Sequence, residues 1–226
     1  NKSIVSPKLN FFYNANKNLQ WFLKSGIGFH SNDTRVVVSN SEENILPRAY
    51  GLDFGNIWKP TPKLLVNTAV WYLFLEQEFV YVGDAGIVEP SGKTERFGLD
   101  FGLRYQFNDW IYFNTDATYT KARSLEADSG ENFIPLAPDF TLAGGLTIKN
   151  SKGFSGGIKY RYIDDRPANE DNSIVAEGYF VTDLNANYSF KNITLGLVIE
   201  NLFDTEWNET QFATESRLQN EAQSVE

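Results

Sequence analysis

His30 is the only histidine in the chain, and there is no cysteine. Any serine–histidine scheme, or any imidazole ligand to a haem, therefore runs through this one residue, while thiolate metal sites, cysteine nucleophiles and disulfides are excluded. Ser31 and Asp33 stand beside His30, but they are ordinary loop residue types, and no nucleophile–base arrangement can be argued from them. The stretches "EADSGE" (126–131) and "DDRPANED" (164–171) carry carboxylate oxygens without the DxDxDG spacing of a calcium loop. No catalytic residue, metal site or cofactor is expected. The chemistry that remains is recognition. Arg96, Arg161 and Arg166 can clamp a carboxylate or phosphate through two parallel N–H donors. Glu76 and Glu78 can take a cation, and Tyr81 and Phe133 can stack on a planar ligand. With His30 these are the ligand-binding candidates, and Arg161 is the strongest, because it lies opposite the apolar series of its segment.

The elements that must hold these side chains are read from alternation. In Phe97–Phe107 every odd position is Phe, Leu or Tyr and the even ones are Gly98, Asp100, Gly102, Arg104 and Gln106. A period of two places successive side chains on opposite faces of a strand, one apolar and one small or charged. The same pattern recurs along the chain and predicts ten strands, at 6–13, 19–30, 49–59, 64–80, 95–107, 110–122, 139–149, 154–163, 179–190 and 193–203. The pentapeptide "GLDFG" appears at 51–55 and 98–102, and Gly145 follows after the same interval. One hairpin and one long loop make that repeat unit, since the connections alternate strictly between short ones ("NANKN", "PTPK", "ND", "NSKG", "KN") and long ones. Such a meander carries tight turns at one end and long loops at the other. A propeller would need about four strands per repeat.

Alternation alone does not say which face meets what. A soluble up-and-down barrel hides its apolar face inside, whereas an outer-membrane barrel turns it towards lipid. Strands of this length, the split between short turns and long loops, and Trp and Tyr near strand ends favour the membrane arrangement. Gly26, Gly28, Gly51, Gly55, Gly98, Gly102, Gly145 and Gly157 on the polar face suit a lumen that another body approaches closely. No run of about 18 apolar residues is present, so no transmembrane helix is expected. The long loops are net acidic and the strands and turns net basic. Charged loops of this kind are either simply solvated or form an acidic mouth for cations. No basic run points to nucleic acid.

The segment "LGLVIENLFDTEW" (195–207) resembles the C-terminal signature of TonB-dependent outer-membrane receptors, carried here by Asn201, Leu202, Phe203, Asp204 and Trp207. "SPKLNFFYNANKNLQWFLKSGIGF" and "EFVYVGDAGIVEPSGKTERFGLDFGLRYQF" are similar to later barrel strands of that family, so the resemblance spans nearly the whole chain. It implies an all-β fold, an antiparallel up-and-down transmembrane β-barrel portion. The family's 22-stranded barrel encloses a plug, and counting back from the "NLFD" strand makes the ten strands the twelfth to the twenty-first. Residues 1–226 are then expected to be one partial barrel domain with the last extracellular loop, without the plug or the final strand. The resemblance also implies a place in the bacterial outer membrane, with long loops extracellular and short turns periplasmic. Its partners would be outer-membrane lipid, the rest of the barrel and its plug, TonB through an N-terminal region, and an imported ligand of the ferric siderophore, cobalamin, haem or glycan class. Asp53, Asp100, Arg104, Asp116, Lys159, Asp183, Asn185, Asn187 and Glu200, placed near mid-strand on the polar face, are the expected plug contacts. A passive porin and a surface-exposed barrel scaffold of an outer-membrane complex are the alternatives, and the "NLFD" segment favours the gated transporter.

Overall fold

In the computed structural model the described residues are 4–29, 46–82, 87–90, 92–209, 211 and 213. Ten strands form one antiparallel sheet in chain order: β1 (Lys8–Asn16), β2 (Leu19–Phe29), β3 (Arg48–Thr61), β4 (Leu64–Leu75), β7 (Thr94–Gln106), β8 (Ile111–Ser124), β9 (Phe140–Ser151), β10 (Phe154–Ile163), β13 (Tyr179–Phe190) and β14 (Ile193–Ile199). Two small hairpins stand apart from it in long loops, β5 (Phe79–Val82) with β6 (Ile87–Pro90), and β11 (Arg166–Pro167) with β12 (Val175–Ala176). Every neighbour in the large sheet is also a neighbour in sequence apart from these loop hairpins, which is the expected meander. No helix among the described residues is long and apolar enough to cross a membrane.

Two strand ends differ from the sequence expectation. The fourth strand stops at Leu75, and Phe79–Val82 belongs to a separate hairpin. The apolar run hides that break; Glu76, just past the strand end, still donates its amide to the Arg48 carbonyl (2.9 Å), while its carboxylate accepts from the Tyr50 hydroxyl (2.9 Å) and the Arg48 amide (3.2 Å). The tenth strand stops at Ile199, so Asn201–Phe203 is a turn and not the end of a strand, and Glu200 lies past the strand end rather than at mid-strand.

Cross-strand register sorts the side chains into two faces. Leu23, Phe54, Val70, Leu99 and Tyr119 oppose one another in sequence across five strands, and all five are exposed. An apolar face that stays exposed over a ten-stranded sheet is the signature of a surface solvated by lipid rather than water. Polar groups on this face find each other: Asn56 donates from Nδ2 to Thr68 Oγ1 at 2.6 Å. The short turns use left-handed backbone where a tight hairpin requires it, with Lys152 at φ 52° and Gly153 at φ 89°.

Candidate functional site

The opposite face is polar and concave. One row across it reads Lys24, Asp53, Trp71, Gly98 and Thr120, and the next runs Phe22, Gly55, Ala69, Asp100 and Thr118. A concavity of about 550 Å³ lies over these rows, lined by Lys24, Asp53, Asn67, Trp71, Asp100 and Asp116 among others. A second of about 710 Å³ adjoins it through Asp116 and is lined by Asn114, Lys159, Arg161, Asp183, Glu200 and Trp207.

The expected plug contacts therefore share one face, and several are tied to it. Arg104 Nη2 spans both oxygens of Asp116, at 3.0 and 2.8 Å, and Asp100 accepts from Thr118 Oγ1 at 2.9 Å. Asp183 accepts from the Asn201 amide at 2.9 Å. Lys159 and Asp183 are direct cross-strand neighbours, as are Lys24 and Asp53. Asn185 opposes Val198 and Asn187 opposes Gly196, so both lie further along β13 towards its short turn. Two buried polar atoms in the first concavity, Trp71 Nε1 and Asn67 Oδ1, have no hydrogen-bond partner among the described residues. Left dry, each would cost of order 1–3 kcal/mol, so this floor is built to receive water or a polar partner.

Two glycines of this face stand against aromatic rings. Gly55 directly opposes Phe22 and Gly98 directly opposes Trp71. A Cβ on Gly55 would sit 2.6 Å from the Phe22 ring, and one on Gly98 would sit 2.2 Å from the indole. At these two positions the cleared space is filled by the chain's own aromatic rings, which corrects the expectation that an outside body occupies it. Above Gly51 there is no atom within 4 Å, and there the expectation of open lumen stands.

At the long-loop end the ligand-binding candidates meet different fates. His30 lies outside the described residues. Arg96 donates from Nη2 to Glu78 Oε1 at 2.6 Å, while Glu78 Oε2 accepts from Thr94 Oγ1 at 2.7 Å, so Arg96 and Glu78 already neutralise one another. Glu76 is bound to Tyr50 and Arg48 as described. Phe133 packs under the Arg123 guanidinium, 4.3 Å from its ring centroid, and Tyr81 lies in the loop strand β5. Arg166 is buried in its small hairpin at 7 % exposure.

Arg161 remains on the polar face and is covered by a feature the sequence reading missed. After β14 the chain turns at Asn201 and Asp204, both left-handed at φ 50° and 52°. The Asn201 amide side chain donates to the Thr205 carbonyl (2.8 Å) and accepts from the Thr205 amide (2.9 Å). The Leu202 amide returns to the Thr182 carbonyl at 2.6 Å. This turn brings Trp207 back across the face, its ring 4.4 Å from the Arg161 guanidinium and 4.9 Å from the Tyr179 ring. Glu209 follows, 3.6 Å from Arg161.

The TonB dependent receptor-like, beta-barrel family matches residues 1–202. The chain belongs to this family. Among solved structures, the TonB-dependent receptor barrel portion seen here superposes on the ferric-catecholate import receptor Fiu of E. coli K12 with a TM-score of 0.69 at 18% identity, covering 91% of this chain and 31% of that one. The ferric citrate transporter FecA in its unliganded form gives a TM-score of 0.73 at 15% identity over 92% and 34% of the two chains. The ferric yersiniabactin uptake receptor FyuA from Yersinia pestis gives 0.70 at 10% identity over 97% and 35%. Identities this low establish the fold alone, and the chain spans about a third of the length of these receptors. Barrels of this family are outer-membrane proteins, and the family consists of receptors and transporters.

Proposed function

We propose that this chain supplies the later strands of an outer-membrane receptor that imports a scarce ligand, with a plug seated against the polar face and long loops towards the exterior. The observation that carries this reading is the pairing of two faces in one sheet: a continuous exposed apolar face, and behind it a polar, water-accepting floor with unpartnered donor and acceptor atoms. A face of hydrated hydrogen bonds can be remade during transport more easily than apolar packing. In this reading Asp53, Asp100, Asp116, Lys159 and Asp183 contact the plug, and the Arg161–Trp207 pair borders the ligand's route. The solved relatives named for ferric ligands make a ferric chelate the first class to try, ahead of haem, cobalamin or a glycan.

The test is accumulation of a labelled ferric chelate by cells that depend on the whole receptor, with and without a protonophore. Uptake abolished by the protonophore is expected. Uptake that persists at the same rate without proton motive force would make the barrel a passive pore instead.

A further inference from the structure

Arg161 differs from Arg96 and Arg104, which share its face of the sheet. Those two give their guanidinium groups to carboxylates, of Glu78 and Asp116. Among the described residues no oxygen accepts a hydrogen bond from Arg161, and its Nε is buried without a partner. The Glu209 carboxylate stands 3.6 Å from Nη1, an ion-pair approach that stops short of the hydrogen-bond reach of about 3.2 Å. Donors left unfilled on a partly buried charge carry a desolvation cost that an acceptor would remove.

The guanidinium is nonetheless held in position. It lies 4.4 Å from the Trp207 ring and 5.6 Å from the Tyr179 ring, and the two rings touch each other at 4.9 Å. Tyr179 is buried, and Trp207 is brought there by the turn that Asn201 closes on Thr205. Rings stacked on a guanidinium engage its face and leave the in-plane N–H donors for an acceptor. Arg161 lines the concavity of about 710 Å³ together with Lys159, Asp183, Glu200 and Asp116. The cations Lys159, Arg161 and Arg104, the last bound to Asp116, balance these three acids. Glu209, over the same guanidinium, adds one further negative charge.

We propose that Arg161 is a carboxylate subsite for the imported ligand and that Glu209 is its built-in competitor, holding the place until a ligand carboxylate displaces it. This rests on the import reading above. A guanidinium with free in-plane donors accepts carboxylate or phosphate geometry alike, and the surrounding charge decides between them. Exchanging Glu209 for one carboxylate leaves the balance around the concavity unchanged, whereas a phosphate dianion adds repulsion against Asp183 and Glu200. Displacement is inexpensive, because the Glu209 side chain is 64% exposed and an exposed ion pair holds its partners weakly.

The experiment titrates the purified whole receptor with benzoate, with benzamide as its uncharged analogue and with inorganic phosphate, all at constant ionic strength. Trp207 emission is read as the difference between the native receptor and its Trp207→Phe variant. Benzoate is expected to give a saturable change, phosphate a weaker one and benzamide none. Glu209→Gln, at an exposed position, removes the competitor and should tighten benzoate binding about two- to fivefold, the range for giving up an exposed ion pair. Arg161→Gln should abolish the response. Absence of a saturable benzoate response, an equal response to benzamide, or tighter binding of phosphate overturns the carboxylate subsite. Unchanged benzoate affinity in Glu209→Gln overturns the competitor. Benzoate binding combined with uptake that ignores the protonophore would keep the subsite and remove the import reading, and protonophore-sensitive uptake without a benzoate response would do the reverse.

Discussion

The indole of Trp71 lies flat against Gly98, its direct partner on the next strand, so that a Cβ at position 98 would fall 2.2 Å from the ring. Glycine weakens a strand because it has no side chain to pack and loses the most conformational freedom on folding. A large ring laid across it from the opposite strand restores the missing contact and covers the exposed backbone. Phe22 over Gly55 repeats the device on the same face, and Tyr160 over Gly144 repeats it on the apolar face. Three glycine–aromatic pairs thus clamp three strand interfaces, β2–β3, β4–β7 and β9–β10.

Substitution at Gly98 should therefore cost more than its exposed surroundings suggest. Gly98→Val forces the indole off its seat, and overpacking of this kind costs about 1–3 kcal/mol. Urea unfolding of the receptor, followed by tryptophan fluorescence, should show a lower midpoint for Gly98→Val and a smaller loss for Trp71→Phe. At Gly51, where a Cβ meets nothing within 4 Å, alanine should be tolerated. Equal losses at the two glycines would contradict the pairing.

The turn after β14 depends on one side chain. Asn201 holds a left-handed backbone and closes two hydrogen bonds on Thr205. Asn201→Gly keeps the backbone geometry and loses the bonds, while Asn201→Ala loses both. Limited proteolysis between 201 and 209 should accelerate in the order Asn201, Gly, Ala. Similar protection in all three would mean that Trp207 alone holds the segment.

Trp207 is the other anchor, and it makes a separable contribution. Its contact with the Arg161 guanidinium is worth about 0.5–1 kcal/mol at an exposed site and more where water is excluded. Trp207→Ala should therefore free Arg161 and raise hydrogen exchange at Tyr179 and Val181, which are buried now at 5% and 2% exposure. Trp207→Phe should keep most of the protection. If ligand affinity rises in Trp207→Ala while folding is intact, the ring is a cover over the arginine; if affinity falls, the ring itself touches the ligand.

Most of the sheet was legible because a period of two needs only the strand's own sequence. Phe97–Phe107 states its faces without reference to any neighbour, and the alternation of short and long connections fixes the strand order. The 47-residue interval between the "GLDFG" copies corresponds to β3 and β7, two strands that both run from the long-loop end to the short-turn end, separated by β4 and one long loop. What stayed hidden depends on register or on loops. That Phe22 fills the space over Gly55 follows from which residue stands opposite, and no single strand carries that information. The pairing of Arg96 with Glu78 links β7 to a long loop, and the covering of Arg161 by Trp207 requires a turn that places residues 46 positions apart in contact. Candidate residues chosen by type were accordingly silent about the partner.

The loop between β10 and β13 offers a prediction in pH. Asp171 accepts hydrogen bonds from the Ser173 amide (3.0 Å) and the Ser173 hydroxyl (2.8 Å), and these hold its carboxyl below the ordinary aspartate value. Its folded-state pKa is thus depressed, so the carboxylate's contribution to loop order is fully present above the unfolded value of about 4. That contribution is lost as pH falls through the lower folded value. Neutral and mildly acidic media should leave the loop unchanged, and local opening should begin only in strong acid. Ser173→Ala removes the hydroxyl donor but retains the amide, so the Asp171 titration should move part of the way back towards the ordinary value. A carboxyl carbon titration by NMR would resolve the two curves. Coincidence of the native curve with that of an unfolded peptide of residues 164–178 would show that the Ser173 bonds do not persist in solution.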